Sequence, residues 1–196
     1  MIRPRALIDN DALVNLTHLR ELGIFDLIRN LFSQVLIPEE VKNEYALQKE
    51  NEPHRDIILQ RLLPNRGFWA LCTHYDQLSA VFLYDFNGID KGEAELVSQA
   101  EKIGVRLIIS DDVKFKNTLE SINENLLVVS SLYIIAALDI NGFILDQPSL
   151  IKAMHEIRPF KSRQLRESYE VALHEYSLKW TKKKISEKTS LKKLLS

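Results

Sequence analysis

Ala6-Leu7-Ile8-Asp9-Asn10-Asp11 runs an apolar stretch straight into carboxylates, and Val105-Arg106-Leu107-Ile108-Ile109-Ser110-Asp111-Asp112 does the same farther along the chain. Short apolar runs bounded in this way read as buried strands. A carboxylate at the end of such a strand is costly to desolvate unless something pairs with it. Two more acidic pairs stand where helices should begin, Glu40 with Glu44 and Asp90 with Glu93. Clusters that converge on one point repel one another, and a hard divalent cation, which takes oxygen ligands, relieves that repulsion. From the residues alone the chain reads as a metal-dependent α/β enzyme.

The flanking sequence supports alternating strands and helices. After the strand at 5–9, Leu13, Leu16, Leu19 and Leu22 form a helical stripe that Gly23 stops, and a second short helix runs from Ile24 to Phe32. Val35-Leu36-Ile37 predicts a strand, and Pro38 suits the first turn of a helix that carries Val41 and Tyr45 inward and ends by Gln48. Lys49 to Pro53 reads as a loop, Ile57, Ile58, Arg61 and Leu62 as a helix, Pro64-Asn65-Arg66-Gly67 as a turn, and Phe68 to Thr73 as a strand. Beyond the break at Asn87-Gly88, a helix runs from about Asp90 to Ile103 and closes at Gly104. A strand at 105–109, a helix over 113–122 and a strand from Leu126 to Val129 follow. Ser130 or Ser131 caps the next helix, which Gly142 ends. This alternation implies parallel pairing and a three-layer α/β/α sandwich with a central parallel sheet. A last helix, capped by Ser162, lines up Leu165, Tyr169, Ala172, Leu173, Tyr176 and Trp180 as one apolar stripe. That stripe is expected to dock on the body or on a second subunit in a homo-oligomer. The expected organisation is one domain over 1–180 and a mobile basic tail over 181–196.

Composition narrows the function classes. A chain of 196 residues can bury one sizeable core. Its apolar runs fall short of the roughly 18 residues of a membrane span, and Met1-Ile2-Arg3-Pro4-Arg5 has no apolar signal core behind it. The single cysteine, Cys72, excludes an internal disulfide and a cysteine-rich zinc site, and fits a reducing cytoplasm. The net charge of −1 conceals an asymmetry: Lys161 to Ser196 carries ten basic and four acidic residues, the remainder sixteen basic and twenty-three acidic. The acidic body carries the candidate site. The basic end either meets a polyanion or an acidic partner, or is a solvated tail.

Each acid also has a structural reading. Asp9 can cap the following helix, Glu44 can be a surface glutamate, Asp90 and Glu93 fit a capping box, and Asp111 or Asp112 can cap the helix after them. Capping alone, however, predicts no common location.

Four stretches, LIDNDALVNL at 7–16, VLIPEEVKNEY at 35–45, DKGEAELVSQA at 90–100 and LIISDDVKFKN at 107–117, resemble in order and spacing the PIN-domain family, in the group related to bacterial toxin–antitoxin ribonucleases. The resemblance covers about residues 5–175. It implies that Asp9 is the family's first acid, Glu44 its helix glutamate, Glu93 its third acid and Asp111 or Asp112 its fourth. Asn10-Asp11 departs from the Thr-Ser often found after the first acid, and Lys114 and Lys116 are candidates for a basic residue after the last acid pair. The implied activity is a Mg2+- or Mn2+-dependent nuclease, an endoribonuclease with an RNA substrate and, for toxin-like members, an antitoxin protein as partner. On this reading Asp9, Glu93 and Asp112 ligate the metal, while Asp111, Glu44 and Asp11 bind through water or orient ligands. One of these last three can accept the proton of the attacking water. The catalytic set is Asp9, Glu44, Glu93 and Asp112, and Asp111 joins the metal set. Asp11, Glu40 and Asp90 support it, and Lys91, Lys114 and Lys116 position phosphates.

Two alternatives stand beside it. Asp9-Asn10-Asp11 also resembles the nucleophile motif of haloacid-dehalogenase-type phosphatases, with Asp9 phosphorylated, Asp11 as acid/base, Thr73 and Lys91 as loose matches and Ser110-Asp111-Asp112 as a late acidic motif. That reading gives no role to Glu44 or Glu93. The other alternative is a catalytically silent PIN-fold binding module.

Overall fold

The apolar runs of the sequence become strands in a computed structural model, which describes residues 3–47, 56–62, 67–73, 76–87, 89–144, 146–154, 167–168, 170–172 and 174. In chain order the elements are β1 (Arg5–Ile8), α1 (Asn10–Thr17), α2 (Ile24–Leu27), β2 (Gln34–Pro38), α3 (Glu39–Leu47), β3 (Trp69–Cys72), α4 (Gln77–Asn87), α5 (Lys91–Ile103), β4 (Leu107–Ile109), α6 (Val113–Ile122), β5 (Leu127–Val129), α7 (Ser131–Ile140) and α8 (Gln147–Met154). Single 3-10 turns lie at Arg20–Leu22 and Ile28–Asn30, and Ile57–Leu62 is a π-helical stretch.

The chain divides into two compact units, Met1–Val14 with Phe32–Val129, and Asn15–Leu31 with Ser130–Ser196. The first holds the whole sheet, whose order is β3-β2-β1-β4-β5 with every pair parallel. Parallel strands are covered on both faces, so they read as unbroken apolar runs. Ala6, Leu7 and Ile8 are accordingly all buried. Leu7, Ile108 and Val128 join Val97 and Ala100 of α5 and Phe115 and Leu119 of α6 in one apolar cluster. The strand order reverses between β1 and β4, and in open parallel sheets such a reversal opens a crevice beyond the carboxyl ends of the strands.

In the second unit, α7 is buried along its length, with Ile134, Ile135, Leu138 and Ile140 inside. Ser130 caps it by accepting the Tyr133 N–H at 3.1 Å. Gly142, at φ 73°, takes the left-handed turn beyond the end of α7. Ile24, Phe25 and Ile28 are buried in the same unit.

The α/β class and the parallel sheet are those expected, but local details differ. The stripe from Leu13 leaves the α-helix at Thr17, and Leu22 lies on a 3-10 turn that Gly23 closes in the left-handed region. Pro38 does not open α3; it is the last residue of β2, in register with Cys72. Two helices were not anticipated, α4 and α8. On α4, Leu78 is 82% exposed, and Val81, Phe82 and Tyr84 are more than half exposed. The readings at 49–53 and 64–66, nearly all of the apolar stripe and the basic tail lie outside the described residues, although Ala172 of that stripe is buried. No described helix is long and apolar enough to cross a membrane.

Candidate active site

The register Ile8↔Ile109 brings the two strand-end acidic segments side by side. The Asp9 N–H donates to the Ile109 carbonyl at 2.9 Å, and the Ser110 N–H donates to the Val129 carbonyl at 2.9 Å, so the ladder runs one residue beyond both strands. Asp9 and Ser110 therefore face each other across the β1–β4 boundary. The Ser110 hydroxyl donates to Asp9 Oδ2 at 2.9 Å and accepts the Asp112 N–H at 3.2 Å. Asp9 Oδ1 accepts the Asn10 N–H at 2.7 Å.

The other acids enter from helix starts. Asp112 caps α6, its Oδ1 accepting the Phe115 N–H at 2.8 Å. Asp90 and Glu93 form the capping box of α5, with Asp90 Oδ1 accepting from Glu93 N–H at 2.8 Å and Glu93 Oε2 from Asp90 N–H at 2.9 Å. Gly104 closes α5 at φ 67°. Glu44, on α3, accepts from Asn10 Nδ2 at 2.6 Å. The capping readings of Asp90, Glu93 and Asp112 are thus correct, and the same residues also share one location.

Electrostatics shows that common location. Asp9 is half-buried, and its carboxyl is pushed up from 3.8 to about 6, first by burial and then by the charges of Asp11 and Asp90, against the hydrogen bonds from Ser110 and Asn10. Glu93 is raised by burial and by the charges of Asp90, Asp112 and Asp9, while the Asp90 N–H pulls it back. Glu44 is raised by burial and by Asp11, Asp90 and Glu40. Asp112, rather than Asp111, is the member of the last pair whose charge reaches Glu93. The expected phosphate-positioning lysines are engaged on their own helices: Lys91 Nζ lies 3.9 Å from Glu95 and Lys116 Nζ 3.7 Å from Glu120, while Lys114 is exposed.

Among the described residues, no three His, Cys, Asp or Glu side chains are close enough to grip a metal ion as they stand. Asp9, Asp90, Glu93 and Asp112 are turned to backbone or hydroxyl donors instead, and Glu44 to the Asn10 amide. The donor set nevertheless suits a hard cation. It consists of carboxylate oxygens, and the three that are raised are raised first by burial and then by other carboxylates, with no basic side chain opposing them. Glu93 and Asp112 each spend one oxygen on a cap and keep the other.

Two positioning residues escaped the sequence reading, Ser110 as the anchor of Asp9 and Asn10 as the link to Glu44. Ser110 was discoverable in principle, because a serine ending a buried strand beside β1 falls level with Asp9 once the register is known. Ser110→Ala removes a bond that favours ionised Asp9, so the Asp9 carboxyl is expected to titrate above about 6, the wild-type value, as read by carboxyl carbon NMR across a pH series.

A family model described as a PIN domain matches residues 7–175. No curated protein and no solved structure matches the chain.

Proposed function

Because the chain belongs to the PIN-domain family, a nuclease-type fold that generally depends on a divalent metal, we propose that it is a Mg2+- or Mn2+-dependent endoribonuclease. The observation that carries the reading is the half-buried Asp9 at the strand-order reversal, held at about 6 by burial and by neighbouring carboxylates. Asp9, Glu93 and Asp112 would hold the cation, with Asp111 and Asp11 acting through water. A bound divalent cation lowers the pKa of a water and offsets charge on the phosphate. Ser110 fixes the Asp9 carboxylate, and Asn10 fixes Glu44. Glu44, raised above its ordinary value, is the proton acceptor on this reading. Exposed Lys114 is the most available of the three lysines to meet a phosphate.

The finer assignment is a toxin of toxin–antitoxin type, acting on RNA in the cytoplasm and held in check by an antitoxin protein. The phosphatase alternative gains no support, since the family match is to the PIN domain. Purified full-length protein is expected to cleave single-stranded or looped RNA with Mn2+ or Mg2+ and to stop when EDTA is added. Robust cleavage in EDTA would refute metal dependence. No cleavage of varied RNAs with either metal would favour the silent binding module.

A further inference from the structure

A second polar group lies on another side of α5. Glu95 and Gln99 stand four residues apart on this helix, so their side chains share a face. Glu93, two positions before Glu95, turns to a different side. Gln99 is 0% exposed and Glu95 is 7% exposed. Gln99 Nε2 donates to Glu40 Oε2 at 3.0 Å, and Glu40, in the first turn of α3, is also within hydrogen-bond reach of the Glu95 carboxyl. Lys91 Nζ lies 3.9 Å from Glu95 Oε1, on a side chain that is otherwise in solvent. The Gln99 Oε1 atom is buried and has no hydrogen-bond partner.

This arrangement leaves two defects. Two carboxyls within hydrogen-bond reach must share a proton or repel. A buried amide oxygen without a donor costs free energy. Flipping the Gln99 amide does not help, because it would set Oε1 against the Glu40 carboxylate. A proton between the glutamates mends the first defect only, and a water at Oε1 mends the second only. A cation among the three mends both. Two carboxylates and an amide carbonyl, with no sulfur or imidazole in the group, make a hard donor set suited to Mg2+, Mn2+ or Ca2+.

We propose that Glu40, Glu95 and the Gln99 carbonyl oxygen form a second binding site for a hard divalent cation, one that ties α3 to α5 on another side of α5 from Glu93, with Glu40 lying between it and Glu44 of the Asp9 group. The site does not depend on the nuclease reading.

The test uses the full chain and Mn2+ alone, counted by electron paramagnetic resonance of the free ion. The double variant Asp9→Asn/Glu93→Gln is expected to retain one Mn2+ per chain. Adding Glu95→Gln or Gln99→Leu is expected to weaken that remaining ion by about tenfold or more. If Gln99→Leu fails to fold, Glu95→Gln and Glu40→Gln decide the matter, since both keep side-chain size. A double variant that binds no Mn2+, or one whose affinity is unchanged by the added substitutions, overturns the proposal. Failure of the nuclease reading looks different: wild-type protein that does not cleave RNA would still bind the ion that Glu95→Gln removes.

Discussion

Asp9→Asn is expected to lower metal-dependent RNA cleavage by more than about 100-fold, because even partners one shell outside a metal are worth roughly 10–100-fold. The same substitution is expected to raise the melting temperature in EDTA at neutral pH. Folding lifts the Asp9 carboxyl from 3.8 to about 6. Below pH 3.8 the carboxyl is protonated in both states and contributes nothing. Between 3.8 and about 6 the folded protein holds a proton that the unfolded chain has released, so stability falls as pH rises. Above about 6 both states are ionised and the full penalty remains, at most about 3 kcal/mol for a shift of this size. Asparagine removes the charge and keeps an oxygen for the Asn10 N–H, while its amide can donate to the Ser110 hydroxyl. Thermal melts at pH 4 and pH 7.5 check this: the gain should be large at the higher pH and small at the lower. A variant that melts earlier at both would make Asp9 a structural cap and nothing more.

Glu93→Gln is expected to cost a comparable share of activity with little change in stability. Glutamine completes a capping box as well as glutamate does, so the Asp90 N–H keeps its acceptor and α5 keeps its start. Only the negative charge is lost. Glu93→Ala removes the cap as well and should cost about 1 kcal/mol on urea denaturation. Comparing the two separates the roles. If Glu93→Gln cleaves RNA like wild type while Glu93→Ala is merely less stable, Glu93 belongs to the helix and not to the chemistry.

Local chemistry explains what could be read from the sequence. Asp90 followed by Glu93, with Gly104 closing a run of 13 residues, marks α5 at both ends, and Asp112 marks α6, because caps act within one turn. The strands were visible as apolar runs. Helix α4 was not, because Leu78, Val81, Phe82 and Tyr84 face solvent, which breaks the rule that apolar residues mark a buried face. Pro38 misled because its fixed φ suits a strand end as well as a helix start. In the site, the acids were legible as strand-end and helix-start carboxylates. Their positioning partners were not, since Ser110 meets Asp9 across 101 positions and Asn10 meets Glu44 across 34. Such contacts depend on strand order and register, which no local pattern encodes. The Glu40–Glu95–Gln99 group was hidden for the same reason, with 59 positions between Gln99 and Glu40.

The ladder bonds at Asp9 and Ser110 divide the site into two kinds of backbone. Those amides belong to the sheet and open only when the sheet does, on the slow clock of global unfolding. Asp90, Glu93 and Asp112 hang instead from the first turns of α5 and α6, held by cap bonds within one turn, and a helix end opens at lower cost than a sheet. One jaw of the vise is bolted to the bench and the other is hinged, so on the nuclease reading an incoming ion or phosphate would be centred on Asp9 and the helix starts would adjust to it.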